Sequence, residues 1–220
     1  AVYNISGNTL FQLADKEIPH LITADEGNAP IALLSTNQPY ATEQMWEGRS
    51  RYDIYTVNLQ TGERQQIKKA SNSNMQLSPK GTYAYWYCAQ DSSWYTYSLA
   101  NGKEYRLTTP ATFTAWDEDN DVPDYPSPHG LAGWTADDRN LLIYDRYDIW
   151  KFDPTAEVAP VNLTVNGRKE QLSYRLIRLD KEEKFIDITK SQLLQVFNEK
   201  TKGSGYYSTH LSAPKAPKAL

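Results

Sequence analysis

Short apolar runs separated by polar turns dominate the chain, and one stretch shows the pattern most fully. Thr135 to Asp153 reads TADDRNLLIYDRYDIWKFD. A polar turn, Ala136 to Asn140, leads into an apolar run, Leu141 to Tyr144. A charged pivot, Asp145-Arg146, leads into a second run, Tyr147 to Phe152. Runs this short, rich in β-branched and aromatic residues and bounded by turn formers, predict a strand, a tight hairpin and a second strand. The phrase recurs at Leu77 to Leu99 and at Glu47 to Leu59.

Four further segments share a plan of aromatic-led strand, polar turn and strand ending near Leu or Ile plus Thr or Lys. The first is Asn8 to Thr23, with its turn at Asp15-Lys16-Glu17 and Pro19 marking the second run as an edge strand. The others are Tyr55 to Lys68, turning at Thr61-Gly62-Glu63; Tyr95 to Thr108, turning at Asn101-Gly102; and Trp150 to Thr164. Asn101-Gly102 predicts a type I′ turn, whose two central residues need positive φ. The segments end at Thr23, Lys68, Thr108 and Thr164, a period of roughly 40 residues with four short strands per unit. That is the spacing of a β-propeller blade. The longest interval holds an insertion, Trp116 to Pro128.

A fifth outer hairpin is expected over Gln192 to Leu211, with strands Leu193 to Phe197 and Tyr206 to His210. Lys190 to Lys200 could instead be a helix, with Leu193, Leu194 and Phe197 on one face; its place before a loop and a Tyr-Tyr strand favours the strand. The tail SAPKAPKAL reads as an unpaired end or the start of a strand. The expected fold is all-β: a partial propeller of four-stranded antiparallel blades over residues 1–220, about three complete repeats plus partial ones.

Composition fits sheets. Sixteen Tyr, six Trp and five Phe make 12% of the 220 residues, and such residues favour pleated, half-buried surfaces. The mean hydropathy of −0.67 implies thin cores. The net charge of −4, with no basic clustering, argues against a nucleic-acid partner. No run reaches the roughly 18 apolar residues of a membrane span, and the first 22 residues lack the basic start and continuous apolar core of a signal peptide.

Candidate chemistry is sparse. Cys88 is the single cysteine and reads as a small apolar strand residue; a catalytic thiol would want a neighbouring His and an electropositive site. Asp117, Glu118, Asp119, Asp121 and Asp124 form the densest charged cluster. Asp117, Asp119 and Asp121 match the first alternating ligands of a calcium loop, but Val122 stands at the turn-glycine position and Pro128 where the bidentate Glu belongs. A solvated insertion is the expectation, an irregular calcium loop the alternative. Tyr83, Tyr85, Trp86, Tyr87 and Trp94, Tyr95, Tyr97 could stack on a carbohydrate or peptide, but alternation assigns half of them to the core between sheets. Arg64 to Lys69 reads as a solvated outer strand. Phosphate-binding glycine loops are absent, so no cofactor is expected.

LSPKGTYAYW resembles the Ser-Pro-Asp-Gly blade turn of TolB-like and peptidase propellers. Phe113 to Pro154 is similar, more specifically, to the propeller of bacterial dipeptidyl- or acylaminoacyl-peptidase-like members of the prolyl oligopeptidase family. Ile22 to Pro30, Met45 to Tyr55 and Phe197 to Tyr207 fit the same branch. The resemblance implies a propeller capping an α/β-hydrolase domain with a Ser-Asp-His triad, admitting short peptides by size, in a periplasmic or secreted protein. The acidic insertion would then face the partner domain or gate the cavity. Gly-x-Ser-x-Gly occurs nowhere; Gly203-Ser204-Gly205 is too short. His20, His129 and His210 have no matching nucleophile. No catalytic, cofactor-binding or metal residue is therefore assigned, and any activity is expected from a hydrolase domain outside these residues. The alternative is a stand-alone TolB-like interaction module. Exposed blade edges would favour association between copies.

Overall fold

The structure, a computed structural model, describes residues 1–5 and 7–220. Its strands are β1 (Val2–Asn4), β2 (Thr9–Phe11), β3 (His20–Ile22), β4 (Ile31–Thr36), β5 (Tyr52–Asn58), β6 (Arg64–Ser71), β7 (Gln76–Leu77), β8 (Tyr83–Cys88), β9 (Ser93–Ser98) and β10 (Glu104–Arg106). There follow β11 (Leu131–Trp134), β12 (Leu141–Tyr144), β13 (Ile149–Phe152), β14 (Val161–Asn162), β15 (Leu172–Leu176), β16 (Ser191–Asn198), β17 (Ser204–His210) and β18 (Lys218–Ala219). The helices are α1 (Ala41–Glu47) and α2 (Gly167–Glu170). The sheets are the hairpin β1-β2 and four four-stranded meanders: β3-β4-β5-β6, β7-β8-β9-β10, β11-β12-β13-β14 and β15-β16-β17-β18. Strands paired in chain order, four to a sheet, make this an all-β chain and a partial propeller.

The chain divides into two compact units, Ala1–Cys88 with Tyr95–Glu104, and Ala89–Trp94 with Tyr105–Leu220. In the first, β4 shows why the alternation matters. Successive side chains point to opposite faces. Ala32 and Leu34 join Leu13, Val57 and Leu59 in one core, while Leu33 joins Ile54, Met75, Ala84 and Trp86 in the other. Both faces of β4 are buried, which is why IALL is a continuous apolar run. Trp86 stacks on Tyr95, ring centroids 5.3 Å apart, and Lys68 Nζ lies 4.4 Å from the Trp86 ring. Of the aromatic strip, Trp86, Tyr95 and Tyr97 pack in this core, and Trp94, on the opposite face of β9, is buried as well.

In the second unit, Leu142, Tyr144, Ile149 and Leu163 pack with Tyr174, Leu194, Val196 and Leu211. Phe113 meets Trp150 and Phe152 edge-on at 5.4 and 5.0 Å. The run read first is two strands in register, Leu141 opposite Phe152 and Tyr144 opposite Ile149.

One turn chemistry recurs. Asn58 N donates to Glu63 O and Gly62 N to Asn58 O; the same pair of bonds joins Ser98 to Lys103 and Gly102, and Asn198 to Gly203 and Lys202. The Asn58 carboxamide accepts from the amides of Gln60 and Thr61, and that of Asn198 from Lys200 and Thr201. Side-chain acceptors at the first position are how Asn and Ser stabilise such loops. The expected type I′ turn at Asn101-Gly102 is corrected by this geometry: only Gly102 has positive φ, at 68°, within a four-residue loop.

Other expectations are corrected too. The run ending at Thr23 is not the second half of a hairpin with Asn8 to Ala14. β2 pairs with β1, and β3, an edge strand as Pro19 suggests, pairs with β4. Thr23 instead leads into the turn before β4, where Asp25, Glu26 and Gly27 take positive φ. Gln192 to Leu211 is the middle pair of its sheet, not the outer one; the outer strand is Lys218–Ala219 from the tail. Its local turn has the same bonds as those after β5 and β9, so the turn alone does not distinguish a middle pair from an outer one. Lys190 to Lys200 contains a strand. Glu47 to Leu59 holds the end of α1 and one strand, not two, and α1 itself left no signal in the apolar pattern.

Candidate functional site

The charged pivot between β12 and β13 is densely hydrogen-bonded. Asp145 is 4% exposed and Asp148 1%. Asp145 Oδ1 accepts from the amides of Tyr147, at 2.7 Å, and Asp148, and Oδ2 from Trp150 Nε1 at 3.2 Å. Burial pushes the Asp145 carboxyl up, against the pull of those amides and of Arg168. Asp148 Oδ1 accepts from Thr164 Oγ1 at 2.6 Å and from Gly167 N at 2.9 Å; Oδ2 accepts from Arg168 N. Thr164 Oγ1 accepts from Ile149 N in turn, as Thr108 Oγ1 does from Trp94 N. The threonines that close two of the sequence repeats are therefore the residues that tie the outer strand to the third strand of the sheet.

Arg146 points the other way. Its Nε and Nη2 form a fork on the Glu199 carboxylate, at 2.9 and 3.2 Å, and its Nη1 lies 2.9 Å from Asp119. Glu199, then Asp119, hold the guanidinium proton more firmly than usual. Burial opposes the Glu199 charge, but Arg146 and the Tyr147 hydroxyl, 2.7 Å away, prevail and keep that carboxyl below its usual range. Arg168 reaches Glu118 at 3.2 Å and lies over the Tyr147 ring at 5.1 Å. Arg175 is held by the carbonyls of Tyr174, Asp145 and Arg146, and burial lowers its pKa.

The acidic insertion is thus folded onto the chain's own cations. Asp117 N bonds Ser127 O, Asn120 Nδ2 bonds the carbonyls of Val122 and Asp124, and Glu118 and Asp119 engage Arg168 and Arg146. No cluster of three metal-ligating side chains occurs among the described residues. Sequence reading found the acids and missed their partners, because Arg146, Arg168 and Glu199 lie in other repeats.

The remaining candidates lie apart in the fold. Cys88 ends β8, packed against the Leu33–Ile54–Trp86 core. His20 begins β3, exposed, and the His210 ring lies 3.1 Å from Thr189 O. His129 is nearly buried beside Glu118. Ser204 and Gly205 begin β17, so no strand-to-helix nucleophile turn exists there. Arg64 and Lys68 pair with Asp15 and Glu104 at the surface.

No protein-family model and no curated protein matches the chain. Among solved structures it is similar to TolB from Acinetobacter baumannii: 14% identity, 97% of this chain and 49% of that one, TM-score 0.39. A structure described as one of two prolyl endopeptidases matches at 9% identity over 92% of this chain and 28% of that one, TM-score 0.44. The β-propeller domain of the Trilobed protease from Pyrococcus furiosus matches at 13% over 92% and 71%, TM-score 0.39. On its own sheets, this chain is a run of propeller blades. It spans about half the length of the TolB structure. Among the described residues, no helix is long and apolar enough to cross a membrane.

Proposed function

We propose that this chain is a non-catalytic propeller segment of a prolyl oligopeptidase-like serine peptidase, restricting which peptides reach an α/β-hydrolase domain outside residues 1–220. The acidic insertion is the observation that carries the non-catalytic part. Its Glu118 and Asp119 carboxylates and the cations Arg146 and Arg168 are spent on one another, fixing turns rather than poised over a substrate. The peptidase part rests on the sequence phrases that resemble that family. On this reading the partner is the hydrolase domain, peptides are met indirectly, nucleic acid is not a partner, and the compartment is the periplasm or the exterior. The test is hydrolysis of dipeptidyl and acyl-peptide chromogenic substrates. The isolated chain should show no turnover, and turnover abolished by substituting a residue of this chain would refute the proposal.

A stand-alone TolB-like interaction module is the second reading. It is favoured by Met45 and Trp46 on α1, which are 86% and 88% exposed on a helix braced by Arg51 to Glu43 and Glu47. The cross-strand pair Tyr3 and Leu10, 56% and 70% exposed, would serve association between copies. Sedimentation equilibrium tests the latter; a concentration-independent monomer would exclude it.

A further inference from the structure

One buried titratable group is absent from the ion-pair scheme. His129 follows the insertion directly, its amide bonded to Ala115 O at 2.9 Å, next to the bridge between Trp116 and Pro128. Its side chain is 12% exposed, and Nε2 is buried without a hydrogen-bond partner among the described residues. Glu118 Oε2 lies 4.0 Å from it, too far for a hydrogen bond, while the other oxygen of that carboxylate, Oε1, takes Arg168.

We propose that His129 makes the insertion from Trp116 to Pro128 an acid-released strap, closed while the ring is neutral and opened when it takes a proton. In the closed state the ring sits in a poorly solvated site, where a second positive charge is unwelcome. The groups that face it are Glu118 and Asp117 from the insertion, Asp145 from the β12–β13 turn and Arg175 from β15. Burial, then the charge of Arg175, disfavours the imidazolium, and the three carboxylates do not make up the difference, so the pKa is lowered. In the open state the ring meets water and recovers its ordinary value of about 6.5.

The sign follows from linkage. A proton bound more tightly by the open form drives opening as pH falls below that ordinary value. At pH 5.5, one unit below it, the ratio of open to closed rises by up to about tenfold. What opening costs is modest. The strap is held to its surroundings by Arg146 to Asp119, whose carboxylate side is 70% exposed, and by Arg168 to Glu118, while the bond from Asp117 N to Ser127 O lies within it. One partner of each pair, Asp119 and Arg168, stays open to water, which weakens the attraction. The inference concerns the insertion alone and stands or falls separately from the peptidase reading.

Hydrogen exchange over Asp117 to His129 tests it, on the full chain at pH 7.5 and 5.5, with rates normalised to intrinsic exchange. The wild type should show several-fold to tenfold more opening at pH 5.5, and His129→Phe, which keeps the ring's bulk but cannot titrate, should show no such rise. An equal pH response in both proteins overturns the proposal. Should His129→Phe fail to fold, the ring carbon resonances of His129 in the wild type decide. A midpoint below about 6.5 that tracks strap opening supports it, and a midpoint at or above that value refutes it.

Discussion

Gly167→Ala is the sharpest probe of the hairpin pivot. A Cβ at this position would stand 2.6 Å from Asp148 Oδ1, 2.9 Å from Asp148 Cγ and 2.9 Å from Leu172 O. The carboxylate cannot retreat freely, since it is buried and bound by Thr164 Oγ1, Gly167 N and Arg168 N. Relief means giving up at least one hydrogen bond to a buried charge, worth about 1.5–3 kcal/mol, plus the strain of moving β15. The expected loss is about 3 kcal/mol, or a fall in Tm of about 6–12 °C for a chain of this size. Gly205→Ala is the control, because nothing lies within 4 Å of its Cβ; it should stay within about 0.5 kcal/mol. Thermal and urea unfolding followed by far-ultraviolet circular dichroism measures both. In an Asp148→Ala background the added cost of Gly167→Ala should fall by more than half, since the clash with the carboxylate is gone. If Gly167→Ala is as stable as wild type, the tight seat assigned to Asp148 is wrong.

Arg146→Ala should cost about 1–2 kcal/mol in urea unfolding, because it strips the fork from Glu199 and the guanidinium from Asp119. Glu199, held below its usual range, contributes stability that is complete above the unfolded carboxylate value of about 4.3 and is lost as pH falls through the folded one; Glu199→Gln should flatten the pH dependence of Tm in that acid window. Burial pushes Tyr174 up to about 12, so ultraviolet titration should show a phenol ionising last that Tyr174→Phe removes. Calorimetry should detect no micromolar calcium binding at Asp117, Asp119 and Asp121; binding that is lost in Asp119→Ala would overturn the scaffold reading of the insertion.

Strand chemistry was legible because it is local. Leu141 to Tyr144 and Ile149 to Phe152 carry their own turn, and each needs a neighbour on both faces, so the run of apolar residues announces a buried blade. Thr108 and Thr164 recur as the threonine after an outer strand because in both places the hydroxyl oxygen accepts from an amide of the third strand. The all-β class and the four-strand unit follow from that repetition. The choice of partner strand was not legible. Leu-Ile-Thr at residues 21–23 ends in an aliphatic residue and Thr as Arg-Leu-Thr does at 106–108, yet it opens a sheet rather than closing one, because pairing is decided by which edge is free. Likewise the turn at Asn198 has the same bonds as the turn at Asn58 but joins the second and third strands instead of the third and fourth. The partners of the acidic insertion were hidden for a related reason. Arg146 is 27 residues from Asp119 and 53 from Glu199, and Arg168 is 50 from Glu118. No periodicity links residues so far apart, and only the packing of β12–β13, α2 and β16–β17 brings their charges within reach.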